Sequence, residues 1–494
     1  MNNSYETVIG LEVHVELSTA TKIFCGCRTD FGGAPNSHTC PVCTGMPGTL
    51  PVLNKKVLEA AIAVGLATGC EITRVGRFDR KNYFYPDNPQ NYQISQLYFP
   101  ICRKGSVEIE TKAGKKSIGI TEIHMEEDAG KLYHAEDGTS LVDYNRSGVP
   151  LLEIVTEPDL SSGEEAVAFL EKLRTMISYL GVSDCKMQEG SMRADVNLSV
   201  RKPGEDLGTR TEMKNLGSFR SVIRAAEAET KRQIDLLEAG EQVLQETRRF
   251  DEASGTSFSM RSKEEARDYR YFPDPDLPPV VVSDELIEKI RSEAPEHREA
   301  RILRFEKEYG LPEYDCKILT ETKTLGDFFE EAALIAGAGD GKAAPTEENV
   351  SSSYKKVSNY IMGELLRLQK ERGMDEDEIP MSPEHLAELI RMTEEGLITG
   401  TVAKQIFEVM FDKDCDPRAY ANEQDLCILK NEGVIESAVD QILATETGPV
   451  AEYLSGKEKV LGYLVGQTMK ALQVKADAGE IRALLLKRLK DRSE

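Results

Sequence analysis

Four short stretches of the chain set carboxylates, imidazoles and an ammonium at alternate positions. In Gly10–Leu17, Glu12, His14 and Glu16 alternate with Leu11, Val13, Val15 and Leu17, so on a strand the two sets occupy opposite faces. The stretch 123–128 offers His124 and Glu126 with a second glutamate, Glu127; 192–200 aligns Arg193, Asp195, Asn197 and Ser199; 210–214 pairs Glu212 with Lys214. A half-buried strand usually shows water a mixture of Lys, Thr, Ser and Glu. Acceptors and imidazoles dominate here, and these are the side chains that hold divalent cations. If the four strands are neighbours, their carboxylates repel one another unless cations sit among them, and Mg²⁺ bound to a polyphosphate is the natural occupant. An ordinary solvated sheet face is the plainer reading of any one strand.

A second constellation is built from sulfur. Cys25-Gly-Cys27 is followed, after twelve residues, by Cys40-Pro-Val-Cys43. Two close pairs separated by a loop let four thiolates close a tetrahedron around Zn²⁺, although the first pair is one residue tighter than the usual spacing. Four free thiols are the alternative. A closed four-sulfur site has no open position, so its work would be to pin a loop. The segment 1–6 has neither a basic patch nor an apolar core, which predicts a cytosolic protein with reduced thiols and no disulfide framework. Cys70, Cys102, Cys185, Cys316, Cys415 and Cys427 are scattered and read as small core residues.

The elements that must position these residues fall into regions of different character. At 494 residues the chain exceeds one hydrophobic core, and two to four domains are expected. It contains no apolar run long enough to span a bilayer. With 61 Lys and Arg against 85 Asp and Glu, its net charge of −24 disfavours nonspecific adhesion to nucleic acid or to an anionic membrane. A specific RNA partner would have to be met by local basic patches.

Residues 1–295 read as mixed α and β, with helices predicted over 55–68, 163–180 and about 218–239; Gly181 and Ser218 supply a C-cap and an N-cap. Two loops, 79–92 and 268–276, are dense in Tyr, Phe, Pro, Asn and Arg, which suits stacking on unpaired bases or an adenine as well as plain structural packing. Arg248, Arg249, Arg261, Arg267 and Arg270 form a basic patch around 255–257. From 296 onward the pattern is helical without strands, interrupted by a Gly/Ala/Ser-rich segment, 337–353, that reads as a flexible loop. In 457–494 nine Lys and Arg face five Asp and Glu, and Ile481, Leu484, Leu485 and Leu489 form one apolar stripe.

Taken together, these residues resemble the GatB/GatE family of tRNA-dependent amidotransferase components. The likeness spans nearly the whole chain and rests on GLEVHVEL at 10, TCPVCTGMPGTLPVLN at 39, DRKNYFYPD at 79, HMEEDAGKLYH at 124, DYNRSGVPLLEIVTEPD at 143, MRADVNLSVR at 192, TEMKNLGSFR at 211 and LGYLVGQTMKA at 461. The resemblance implies an α+β fold: a glutamine synthetase/guanidino kinase-like cradle domain over 1–295, an all-α helical domain over 296–412 and a small α-helical, tRNA-binding tail domain over 413–494. GatE-type members carry an inserted domain between the last two, for which this chain has no room. The segment 337–353 looks longer than in many relatives.

The resemblance also implies a reaction. The side-chain carboxylate of glutamate on tRNA(Gln), or of aspartate on tRNA(Asn), would be phosphorylated by ATP and then amidated with ammonia. By matching position, Glu12, His14, Glu126, Glu127, Asp195 and Glu212 would hold Mg²⁺ against the phosphates, with Lys81 and Lys214 neutralising the oxygens in transfer. The four cysteines would hold structural Zn²⁺. The sequence has no amidase signature and no glutaminase nucleophile in an evident setting, so ammonia would come from a glutaminase subunit, GatA, with a small third subunit, GatC, supporting the pair in a cytoplasmic heterotrimer. Arg146, Glu153 and Glu157 could line an ammonia channel or merely support the cleft. Two other classes remain: a free-standing ligase that amidates a small acid, and a zinc-pinned RNA-binding protein without catalysis.

Overall fold

The strand Glu6–Glu16 holds the middle of a nine-stranded sheet. The computed structural model describes residues 4–491 apart from 113, 136, 188, 263–267, 339–346, 376, 429–431, 456, 458 and 473–477. Two compact units divide the chain, Met1–His297 and Arg298–Glu494. The fold is mixed α/β, with the large sheet in the first unit and helices alone among the described elements of the second.

From edge to edge the sheet runs Thr256–Ser262, Glu246–Asp251, Thr211–Lys214, Met192–Arg201, Glu6–Glu16, Pro150–Thr156, Gly114–Glu127, Cys102–Thr111 and Glu71–Ile72. All four acid-bearing stretches therefore lie in one sheet, with Pro150–Thr156 inserted between the first and the second. Neighbours are antiparallel except Thr211–Lys214 and Glu246–Asp251, which run parallel. Alternation then decides which side chains go inside. Leu11, Val13, Val15, Ile123, Met125, Leu152, Ile154, Val196 and Leu198 are buried in one core with residues of three helices, Lys55–Ala67, Gly163–Leu180 and Phe219–Glu238. Each such side chain contributes roughly 1.5–3 kcal/mol by leaving water, so a one-residue slip of any strand would forfeit several of them.

The helix ends follow their capping residues. Asn54, Ser162 and Ser218 each accept a hydrogen bond from a backbone N–H of the first turn, and Gly181 closes its helix at φ 69°, a conformation that costs a side-chain-bearing residue more than it costs glycine. The two aromatic loops form one layer. Phe272–Pro273, Asp79–Asn82 and Tyr92–Ser95 make a three-stranded sheet, Asn82 Nδ2 donates to Arg270 O at 2.9 Å, and Arg80 donates to Asp274 and Asp276, both at 2.8 Å.

In the second unit one apolar core gathers residues between Phe305 and Ala421, and a separate one gathers residues between Ile435 and Leu489. The latter includes Ile481, Leu485 and Leu489, with Leu484 partly buried beside them. Part of the segment expected to be a flexible loop, 339–346, lies outside the described residues. From Glu347 the chain is helical to Arg372, passing through one π turn at Ile361–Leu365. No glycine occurs between 347 and 362, and burial of Ser353 and Val357 gives this helix a face to pack.

Candidate functional site

The polar face of the sheet gathers two acceptor groups side by side. Strand register sets His14 opposite Glu153 on one side and Arg193 on the other, and sets Glu12 opposite Asp195. His124 stands opposite Glu153, and Asn197 opposite Glu212. His14, Glu126 and Glu153 each bring one ligand atom within 4.8 Å of the other two, and Glu12, Asp195 and Glu212 do the same.

In the first group His14 Nε2 lies 3.4 Å from Glu126 Oε1 and 3.5 Å from Glu153 Oε2. His124 Nε2 lies 2.9 Å from the same Glu153 oxygen. Burial alone would lower both histidines, but contact with Glu126 and Glu153 holds each up at about 10. Burial would raise Glu126, but His124 and His14 hold it down at about 2, and the same two rings keep Glu153 well below the usual carboxylate range. Two imidazolium charges thus stand where a divalent cation would supply the same charge, and a cation entering as ligand-bound metal would release those protons.

The second group is denser in carboxylate. Glu12 is pushed up by burial and then by Glu153 and Glu212. Lys214 bridges Asp195 and Glu212, with Nζ 2.9 Å from Glu212 Oε1. Burial would lower its ammonium, and the two carboxylates raise it. The donor sets, carboxylate oxygens with one imidazole in the first group and carboxylate oxygens alone in the second, fit a hard divalent cation such as Mg²⁺.

The four clustered cysteines converge as well. Cys43 Sγ is 3.9 Å from Cys40 Sγ and 4.0 Å from Cys27 Sγ, and one ligand atom from each of the four lies within 4.8 Å of the others. A tetrahedral Zn²⁺ with Zn–S bonds of about 2.3 Å separates its sulfurs by about 3.8 Å, so the thiols are spaced for that ion and not for disulfides. The Cys43 sulfur is held down at about 4 by the Cys25 thiol, then by the Cys40 N–H and Lys22, against the effect of burial. Burial pushes Cys27 up to about 11.

Residues 7–288 match the model of the GatB/GatE catalytic domain, and residues 346–489 match that of the GatB domain. The chain belongs to the GatB/GatE family. Its relatives include the GatB-type component of aspartyl/glutamyl-tRNA(Asn/Gln) amidotransferase from Agathobacter rectalis, 57% identical over 98% of this chain and 100% of that protein. The protein of the same name from Lachnospira eligens is 57% identical over 98% of this chain and 99% of its own length, and that from Caldicellulosiruptor saccharolyticus is 53% identical over the same shares. No helix among the described residues is long and apolar enough to cross a membrane.

Within this GatB/GatE chain, Glu12, His14, Glu126, Asp195, Glu212 and Lys214 are gathered on the polar face. Glu127 and Lys81 are placed elsewhere. Glu127 follows Glu126 and so leaves its face; its Oε1 accepts Gln90 Nε2 at 2.8 Å and Ile94 N at 2.9 Å, and burial pushes it up to about 8. It lines a small cavity with Lys22, Cys25, Cys43 and Gln90, so the cysteine loop walls one side of it. Lys81 Nζ sits 5.3 Å from the centre of the Tyr269 ring. Glu153, which sequence reasoning left between channel and support, is a full member of the first group. The available signal is that it carries the one charge in Pro150–Thr156, flanked by Leu152 and Ile154. Lys22, 1% exposed, was also missed; its Nζ donates to Tyr144 O at 3.1 Å and to Cys43 Sγ at 3.5 Å.

Proposed function

We propose that this chain amidates the side-chain carboxylate of glutamate carried by tRNA(Gln), or of aspartate carried by tRNA(Asn), using ATP and ammonia. The observation that carries the reading is the pair of acceptor groups adjoining on one sheet face, in a chain matched end to end by GatB-type amidotransferase components. Tethered amidation of this kind belongs to the family.

A carboxylate resists ammonia because its leaving group would be oxide. Transfer of the γ-phosphoryl group of ATP to a carboxylate oxygen gives an acyl phosphate and ADP; ammonia then attacks the carbonyl carbon, phosphate departs with the C–O bond pair, and the nitrogen loses a proton. His14, Glu126 and Glu153 would hold one Mg²⁺ and Glu12, Asp195 and Glu212 another, whose charge, when bound, neutralises phosphoryl oxygens. Lys214 presents an ammonium beside the second group for the same oxygens. Glu127, titrating near neutral pH, is suited to take a proton from ammonium. Lys81, beside Tyr269, is proposed to meet substrate from the aromatic layer. The four thiolates would bind Zn²⁺ in a closed, structural site.

In this reading 1–295 is a cradle of the glutamine synthetase/guanidino kinase type, the following helices form a separate domain, and the tail helices meet the tRNA body. Ammonia comes from a glutaminase partner of the GatA type, with a small GatC-type protein supporting the pair, in the cytoplasm. The test is ATP turnover by the assembled enzyme with misacylated, correctly charged and uncharged tRNA in turn. Turnover confined to the misacylated species is expected. Equal turnover with free glutamate and ammonia would instead make the chain a small-molecule ligase.

A further inference from the structure

In the group formed by Glu12, Asp195 and Glu212, every carboxylate is gripped by a protein donor. Asn197 Nδ2 donates to Glu12 Oε1 at 2.9 Å, Thr247 Oγ1 donates to Glu212 Oε2 at 2.7 Å, and Lys214 bridges Asp195 and Glu212. A carboxylate oxygen has two lone pairs, so one held by a donor still accepts a cation. Like charges at this separation push one another away, and only donors fixed by the sheet keep three carboxylates aimed at one point.

The sheet is shaped to supply those donors. Gly10, Asn197, Glu212 and Thr247 form one cross-strand row. Thr247 joins it because Glu246–Asp251 runs parallel to Thr211–Lys214, unlike the pairings to either side. Against the edge strand, the register of Glu246–Asp251 slips between Thr247 and Arg248, the kind of irregularity that re-aims a side chain. Thr247 is 8% exposed, so its hydroxyl is spent on Glu212 in a place where a plain β-branched side chain would pack equally well. Behind it, Glu229 accepts from Thr211 Oγ1 at 2.8 Å and from Arg232 at 2.7 and 2.8 Å, which anchors the strand that carries Glu212.

We propose that Thr247 and Asn197 are positioning residues for a cation held by Glu12, Asp195 and Glu212, fixing the carboxylate rotamers so that their remaining lone pairs converge. This rests on the cation-binding reading of that group. Thr247→Val keeps the shape of the side chain and removes the donor; Thr247→Ser keeps the donor and removes a methyl group. Asn197→Ala removes the other grip.

The experiment measures Mn²⁺ bound to the full chain by electron paramagnetic resonance of the free ion, alongside thermal melting, for the parent, these three variants and Glu212→Gln. Thr247→Val and Asn197→Ala weaken Mn²⁺ at one class of site on the order of 10–100-fold, while Thr247→Ser keeps parent affinity. In the assembled enzyme the Mg²⁺ concentration for half-maximal amidation rises in the same order. Parent-like Mn²⁺ binding in Thr247→Val, or equal weakening in Thr247→Ser and Thr247→Val, overturns the positioning role. Glu212→Gln separates this failure from that of the underlying reading. If it loses a class of Mn²⁺ site while Thr247→Val does not, only the positioning role falls; if it binds Mn²⁺ as the parent does, the cation reading falls and takes this one with it.

Discussion

His124 Nε2 and Glu153 Oε2 lie 2.9 Å apart across two adjacent strands whose register sets the two residues directly opposite each other. His14 approaches the same glutamate oxygen from the strand on the other side, at 3.5 Å. Glu153 is thus the acceptor that two imidazoles share, and its charge is one of two that hold them protonated.

Glu153→Gln keeps the shape of the side chain and deletes that charge. His14 and His124 should then titrate below about 10 in the metal-free protein, read from their imidazole proton resonances. Phosphoryl transfer to the tRNA-bound carboxylate should fall on the order of 10²-fold. Unchanged titration of both rings together with parent-like transfer would remove Glu153 from the site.

How much of this was legible beforehand depends on the range of each interaction. Alternation along 10–17 is local, and so are the Ser162 and Gly181 caps, which is why strand faces and helix ends could be read from residue types. The insertion of Pro150–Thr156 between Glu6–Glu16 and Gly114–Glu127 pairs residues far apart in the chain; no local pattern encodes it, and Glu153 is hidden with it. The same holds for Arg80 and Asp274, which join the two aromatic loops. Glu127 shows the converse. Its place beside Glu126 in sequence suggests a shared role, while the strand period sends the two carboxylates to different surroundings.

The four-cysteine centre predicts a metal-dependent stability. Cys40→Ser should lose one zinc per chain and lower the melting temperature, and a strong chelator should do the same to the parent protein, because binding free energy at such a site is folding free energy. Zinc analysis after gel filtration checks the first part. Undiminished zinc in Cys40→Ser would show the thiols to be ordinary cysteines.

Glu229 predicts an acid-labile contribution. Burial would raise its carboxyl, but hydrogen bonds from Arg232, Gln233 and Thr211 pull it below its ordinary value of 4.5. A depressed folded pKa gives stability that is fully present above the unfolded value and is lost as pH falls through the folded one. Glu229→Gln should therefore cost about 3 kcal/mol at neutral pH, and the gap to the parent should close as pH falls below about 4. Denaturant melts at a series of pH values measure it, and a gap independent of pH would contradict the assignment.

The tail predicts how a chain of net charge −24 holds tRNA. Each phosphate neutralised by a cation releases counterions, so binding weakens with salt in proportion to the contacts made. In the last helix, Arg488 is already tied to Asp440 at 3.2 Å and to Glu436 at 3.5 Å, which orients its face without leaving it unopposed, whereas Lys487 stands exposed. Helix Pro417–Glu423 packs on the preceding core through Ala421, and Arg418 pairs with Glu388 and Glu395, so the cut belongs after 431. Deleting 432–494 should weaken tRNA binding and flatten its salt dependence, and ATP binding to the first unit should change little. Binding measured at two salt concentrations decides it: a truncated chain with the parent's affinity at both would move tRNA recognition to the aromatic layer around Tyr83, Tyr269 and Tyr271, whose rings meet edge to face at 6.2 and 6.1 Å.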